Sequence, residues 1–438
     1  MTGTLLQDKD ILDQLRNAAA PLRLGRVADV VGLRVRVTGL RASVGDLVEI
    51  AGARGWIAAE VSAADRDGLT CLPLGATDGL RVGDTVRDTG GPLQIPVGPA
   101  LRGRVLDGLG RPIDGGPSLD ELPRVAVDNR APDALTRTPI RRQIGLGVRA
   151  LDALTPCGRG QRLGIMAGSG VGKSSLLSMI TRGTEASVSV IALVGERGRE
   201  VREFIENDLG PEGLARSVLV VATSDASPVE RLRAAFVATR IAEDFRDSGE
   251  HVLLMMDSLT RVAMAQREVG LSSGEPPATR GYPPSVFGLL PRLLERAGAS
   301  DRGSITGLYT VLVEGDDLQD PIGDTARSIL DGHIVLDRRL ATAGHFPSID
   351  VLESISRCAP AVTDERQRTD AARLRRMLAA HRDIRELIEI GAYADGTDPD
   401  ADAAIARMPE IEEFLRQAMS EATRLDETWS LLSGLVSS

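Results

Sequence analysis

The stretch Ala167-Gly168-Ser169-Gly170-Val171-Gly172-Lys173-Ser174 decides how the rest of this chain is read. It follows a short apolar run, Arg162–Met166, and opens a helical segment, Ser174–Thr181. A strand, a glycine-rich loop and a helix, in that order, let backbone N–H groups turn inward and cradle phosphate oxygens. The helix N-terminus adds a partial positive charge. Gly168, Ser169, Gly170, Val171 and Gly172 form the cradle. Lys173 brings a compact cation to the β and γ phosphates, Ser174 offers a hydroxyl to Mg²⁺, and Ser175 continues the nucleotide-binding turn. The first glycine of the usual pattern is replaced by Ala167, a departure of one carbon.

Outward from this loop, residues 146–360 alternate apolar strands with helices. Strands are expected at Val188–Val194, Val218–Ala222, Val252–Met256, Ile305–Val313 and Ile334–Leu336, and a long helix at Pro228–Arg246. Continuous apolar strands between helices indicate a parallel sheet covered on both faces. The run His251-Val252-Leu253-Leu254-Met255-Met256-Asp257 ends a buried strand on an aspartate, placed to hold Mg²⁺, through a water. Glu196 falls just past another core strand, at the carboxyl edge where ligands bind in open parallel sheets. A carboxylate there can orient and polarise an attacking water. Arg197, beside it, is placed to meet a γ-phosphate oxygen. Together these residues describe nucleoside triphosphate hydrolysis.

The flanks differ. Residues 24–91 show period-2 alternation, as in Leu33, Val35 and Val37, and short strand-like pieces separated by glycine turns, which suggests a small β-barrel or sandwich. Residues 92–145 are rich in proline and glycine and read as a connector to the domain that extends to residue 360. Residues 361–438 lose the strand signal and read as helices at Asp364–Ile390, Ala401–Arg407 and Pro409–Leu432. Within residues 1–23, residues 1–20 read as a short amphipathic helix, either a loose terminus or a docking helix for a partner.

Composition limits the function. Of 52 basic residues only two are lysines, Lys9 and Lys173, in a chain of net charge −10 with 3% aromatic residues. An acidic chain so poor in stacking rings is not expected to bind nucleic acid. The three cysteines and four histidines show no ligand spacing and suit a reducing cytoplasm. No apolar stretch approaches the roughly 18 residues of a membrane span.

Longer motifs carry a resemblance. Gly195-Glu196-Arg197-Gly198-Arg199-Glu200-Val201, Gly281-Tyr282-Pro283-Pro284-Ser285-Val286-Phe287 and Glu314-Gly315-Asp316-Asp317 resemble the type III secretion export ATPases. So do Ser328-Ile329-Leu330-Asp331-Gly332-His333-Ile334-Val335-Leu336 and Ser354-Ile355-Ser356-Arg357. The resemblance covers about residues 24–435 and is nearest to the flagellar branch. It implies an α/β fold, with an N-terminal β-barrel, a RecA-like P-loop core and a C-terminal helical domain. It also implies a ring of six copies with ATP and Mg²⁺ bound between neighbours. Glu196 is then the catalytic carboxylate, and Lys173, Arg197 and Arg261 lie near the γ-phosphate. Arg357 matches an arginine finger acting in trans, and Phe346 an aromatic that stacks on adenine. The partners implied are a negative-regulator dimer on the N-terminal helix, a coiled-coil stalk in the pore, and the export gate with its chaperones and substrates. The place implied is the cytoplasmic face of the membrane. Competing readings are the export ATPase of an injectisome, a rotary ATP synthase catalytic subunit and a hexameric RNA translocase. Glu196 argues against a non-catalytic rotary subunit, which has glutamine there. Trp56 alone among residues 24–90 is aromatic, which disfavours an RNA-binding domain.

Overall fold

The computed structural model describes residues 24–313 and 320–437. The expected N-terminal helix and the Glu314-Gly315-Asp316-Asp317 motif lie outside the described residues. The chain divides into two compact units between Leu93 and Gln94.

The first unit is a closed barrel of six strands. Around it run Leu24–Val31, Arg34–Thr38, Gly68–Pro73, Gly55–Asp65, Asp46–Gly52 and Thr85–Pro92, the last pairing back to the first. Alternation fills it: Val27, Val35, Val37, Val48, Ile50, Val61, Cys71 and Val86 point inward and are buried. The strand Leu24–Val31 was not marked by the sequence pattern, because its inward positions are a glycine and two valines among exposed charges.

The second unit is built on a largely parallel sheet. Its order is Ile349–Ser356, Gly332–Leu336, Arg162–Ala167, Ser304–Leu312, His251–Asp257, Val188–Val194, Ser217–Ala222 and Val105–Asp107. The loop-bearing strand Arg162–Ala167 is parallel to both of its neighbours. Every residue of Val188–Val194 and Ser217–Ala222 is buried, as a sheet covered on both faces requires. The edge strand Val105–Asp107 lies inside the segment read as a connector; three residues carry too short a pattern to declare a strand. The helix Pro228–Asp247 starts where Ser227 accepts a hydrogen bond from the Glu230 amide and a proline takes the first turn.

The covering layer hides an ion pair. The guanidinium of Arg296 meets both carboxylate oxygens of Glu243 at 2.7 and 2.8 Å, and Asn129 donates to the same carboxylate at 2.8 Å. Both side chains are almost wholly buried. Removing one partner strands a charge in a medium that cannot solvate it. Glu243→Leu is expected to lower unfolding stability by about 3–5 kcal/mol, read as a lower urea midpoint. A double variant with Arg296→Met should recover most of the loss; a single variant as stable as the parent would show the pair to be unimportant.

The C-terminal helices are Glu365–Glu389, Pro399–Leu415 and Leu425–Ser437. Asp364 and Gln367 close a reciprocal cap at the start of the first. Two expected boundaries are corrected. The second helix does not break at Pro409, which it carries in its interior. Ala404, Ile411, Phe414 and Leu415 all enter the core across that point, and their burial outweighs a cost of about 3 kcal/mol for the proline. The expected helix Pro409–Leu432 is instead interrupted at residues 416–424. There the Glu413, Phe414 and Arg416 carbonyls turn to the Arg149 guanidinium rather than to another helical turn.

Candidate active site

The phosphate loop leaves the sheet at its carboxyl edge. Ala167 is the last residue of its strand, paired with Leu312 on one side and Leu336 on the other. It sits in buried extended backbone, which explains why alanine serves where the pattern has glycine. Gly170 and Gly172 do need to be glycines: their φ values are 75° and 88°. Gly172 caps the helix Lys173–Gly183, and no side chain occupies the amides of its first turn. Ser174 and Ser175 lie in that turn. The Ser348 hydroxyl donates to the Val171 carbonyl, and Arg338 donates to the Ser169 carbonyl at 3.1 Å, so the loop is held from outside. Neither residue was singled out in the sequence. A serine or arginine that grips backbone from a distant segment leaves no pattern in its own neighbourhood.

Lys173, Asp257 and Glu196 meet. The Lys173 ammonium is 2.6 Å from Asp257 Oδ1 and 3.3 Å from Glu196 Oε1. Asp257 ends its strand nearly buried and also accepts a hydrogen bond from Thr310 at 2.7 Å. Leu193 pairs with Asp257, so Glu196 emerges three residues beyond, on the same sheet edge. Burial favours the neutral amine at Lys173, but the charges of Asp257 and Glu196 outweigh it and raise the pKa. The Glu196 carboxyl is raised above the ordinary value, first by burial. The Lys173 charge opposes that rise, and the Asp257 charge and the Glu200 carboxyl add to it.

Arg261 stands behind Glu196. Its methylenes pack on Gly195, where an added Cβ would lie 3.0 Å from Arg261 Cβ and Cγ. Gly195 also has φ 74°, so glycine is required on both counts. The buried Nε of Arg261 has no hydrogen-bond partner, a donor set beside the site for an anion. The Phe346 ring lies over the loop, about 3.4 Å from where a Cβ on Gly172 would be, and borders a cleft of about 800 Å³. That volume suits a nucleoside.

Two expected residues are not brought in by a single chain. Arg197 is 82% exposed and leans on Glu200 at 3.5 Å. Arg357 follows the strand that pairs Ser356 with Gly332 and Ile349 with Leu336. The phosphate loop departs at the Leu336 end. Arg357 therefore sits one strand-length away, about 13 Å along the sheet, at the opposite edge.

The chain's sequence matches known proteins along its length. The ATP synthase alpha/beta family, nucleotide-binding domain, matches residues 147–356, and the T3SS EscN ATPase C-terminal domain matches residues 363–434. A flagellum-specific ATP synthase of Bacillus subtilis is 48% identical, over 98% of this chain and 99% of its own. A type 3 secretion system ATPase of Xanthomonas euvesicatoria is also 48% identical, over 99% of both chains. The assembled ATPase EscN of enteropathogenic E. coli, solved in complex with its central stalk EscO, superposes with a TM-score of 0.88 at 45% identity. That match covers 94% of this chain and all of the other. The barrel, the core and the helices all fall within these matches, and the chain belongs to the family of flagellum-specific ATP synthases and type 3 secretion system ATPases.

Proposed function

We propose that this chain is the ATPase of a flagellar protein-export apparatus, hydrolysing ATP as a ring of six copies whose sites lie between neighbours. ATP hydrolysis itself is the activity of the family. The observation that carries the shared site is the division of the machinery: Lys173, Asp257, Glu196 and Arg261 converge in one chain, while Arg357 stands at the far edge of the sheet.

The amides of Gly168–Gly172 and the first turn of the following helix bind the phosphates, and Lys173 meets the γ-phosphate as a point charge. Glu196 orients the attacking water and takes its proton. Arg261 and Arg197 hold γ-phosphate oxygens, and Arg357 of the neighbouring copy stabilises the charge that spreads as the bond breaks. The Phe346 ring stacks on adenine through its flat apolar face. Mg²⁺ neutralises phosphate charge when bound, with Ser174 and Asp257 as its holders. No cluster of three or more acidic, histidine or cysteine ligands is present among the described residues.

The partners in this reading are a central stalk in the pore, a negative-regulator dimer on residues 1–23, and the export gate, chaperones and substrates that the ring docks and unfolds. The relative solved with its central stalk supports the first. The ring then sits at the cytoplasmic face of the membrane as a peripheral assembly; no helix among the described residues is long and apolar enough to cross it. The injectisome relative is as similar as the flagellar one and sustains a second reading. Deleting the gene decides: loss of flagella with effector secretion intact is expected, and intact flagella with secretion lost would transfer the chain to an injectisome.

A further inference from the structure

Arg149 is a buried cation to which the mechanism above gives no work. It begins the helix Arg149–Leu154, two residues after Gly147. Its guanidinium donates to the Phe414 carbonyl at 2.9 Å and to Thr423 Oγ1 at 3.2 Å, and pairs with the Glu421 carboxylate. Its backbone amide donates to Gln417 Oε1 at 2.9 Å. Gln417, itself nearly buried, donates from Nε2 to the Gly147 carbonyl at 2.7 Å and to the Glu421 carbonyl at 3.0 Å. The Gln417 amide donates to the Phe346 carbonyl at 2.9 Å. One continuous set of hydrogen bonds therefore runs from the base of the core, through the interrupted segment 416–424, to the backbone of the ring that lies on the phosphate loop. Arg149, Gln417 and Phe346 all border the same 800 Å³ cleft.

We propose that Arg149 and Gln417 are positioning residues for the base of the nucleotide: they fix the 413–423 segment and, through Gln417, the backbone of Phe346 in register with the phosphate loop. A planar fork suits the task, because it collects several carbonyl oxygens from one point where an ammonium meets fewer. Between residues 416 and 424 the segment has no helix or strand, only the turn in which the Glu421 amide donates to the Ala418 carbonyl at 3.0 Å. Without the clamp the Phe414 and Arg416 carbonyls lose the Arg149 donor and the Glu421 carbonyl loses Gln417, and the wall of the cleft loses its fixed distance from Gly172. The phosphate loop is held separately by Ser348 and Arg338, so loosening this wall leaves phosphate recognition in place.

The inference rests on the reading of Phe346 as the base-stacking ring, and the test separates the two. Gln417→Ala and Arg149→Lys are measured in the full-length assembled protein, for ATP turnover and for competitive inhibition by Mg-tripolyphosphate, which has phosphates and no base. Both variants are expected to raise KM for ATP about tenfold with little change in kcat, while the tripolyphosphate inhibition constant stays within about twofold of the parent. A general loosening of the fold would weaken both ligands together. An unchanged KM in folded Gln417→Ala, or an inhibition constant that rises in step with KM, overturns the proposal. Phe346→Ala is run beside them. If its KM is unchanged, the base-site reading itself fails and takes the clamp with it. If Phe346→Ala raises KM and Gln417→Ala does not, the clamp alone fails.

Discussion

An Arg357→Ala variant is expected to lose about 10³–10⁵ in ATP turnover, the range attributed to arginines that meet transition-state charge from outside the nucleotide's own cradle. ATP binding by the single chain should be nearly unchanged. The sheet keeps the guanidinium one strand-length from its own loop, and in its own chain it rests beside the Arg327 carbonyl at 3.5 Å. The sharper form of the experiment mixes two inactive proteins. Lys173→Ala lacks the phosphate cation but keeps Arg357, and Arg357→Ala lacks the finger but keeps the loop. Where the first stands beside the second in the right order, one intact site is rebuilt. Rings reassembled from the mixture should recover measurable phosphate release, and a mixture as dead as its components would end the trans assignment.

Glu196→Gln is expected to lower turnover about 10²–10⁴-fold and to leave ATP bound, since the amide keeps the shape and loses the base. Turnover is followed as phosphate release and binding by calorimetry, on the same preparation. The wild-type pH profile carries a second check. The Glu196 pKa is raised above its ordinary value, first by burial, so the carboxylate needed as a base is lost at a higher pH than a free glutamate, about 4.3, would lose it. The acid limb of the rate should therefore lie above that value. Full activity in Glu196→Gln would remove it from the chemistry.

The loop and its strand were legible because their signals are local. Gly170 and Gly172 announce left-handed backbone, and Asp257 closes a run of six consecutive apolar or half-apolar positions at a strand end. The meeting of Lys173, Asp257 and Glu196 followed from the parallel order, which brings the carboxyl ends of neighbouring strands to one edge. What stayed hidden was held across long sequence separations. Ser348 reaches the phosphate loop from the segment beside Phe346, and Arg149 and Gln417 join residues from opposite ends of the second unit. Neither has a periodicity or spacing to betray it. The interior Pro409 misled for the opposite reason: its local signal to stop a helix is genuine, and packing on both sides overrides it. The Arg197 side chain, expected to meet a phosphate, points to solvent in the single chain.

The antiparallel pairing that carries Arg357 away from its own loop has an arithmetic consequence. If Arg357 serves a neighbour, a subunit donates from one edge and receives at the other, so copies complete sites only head to tail. A pair related by a two-fold axis, each presenting the same face, completes none. An open row of copies always has one receiving edge unserved and one donating edge idle, so it holds one complete site fewer than it has members. Closure of the row adds a site without adding a subunit. Activity per chain should then climb with assembly and make its last step at closure, and the order of donor and receiver gives the closed ring a built-in sense of direction.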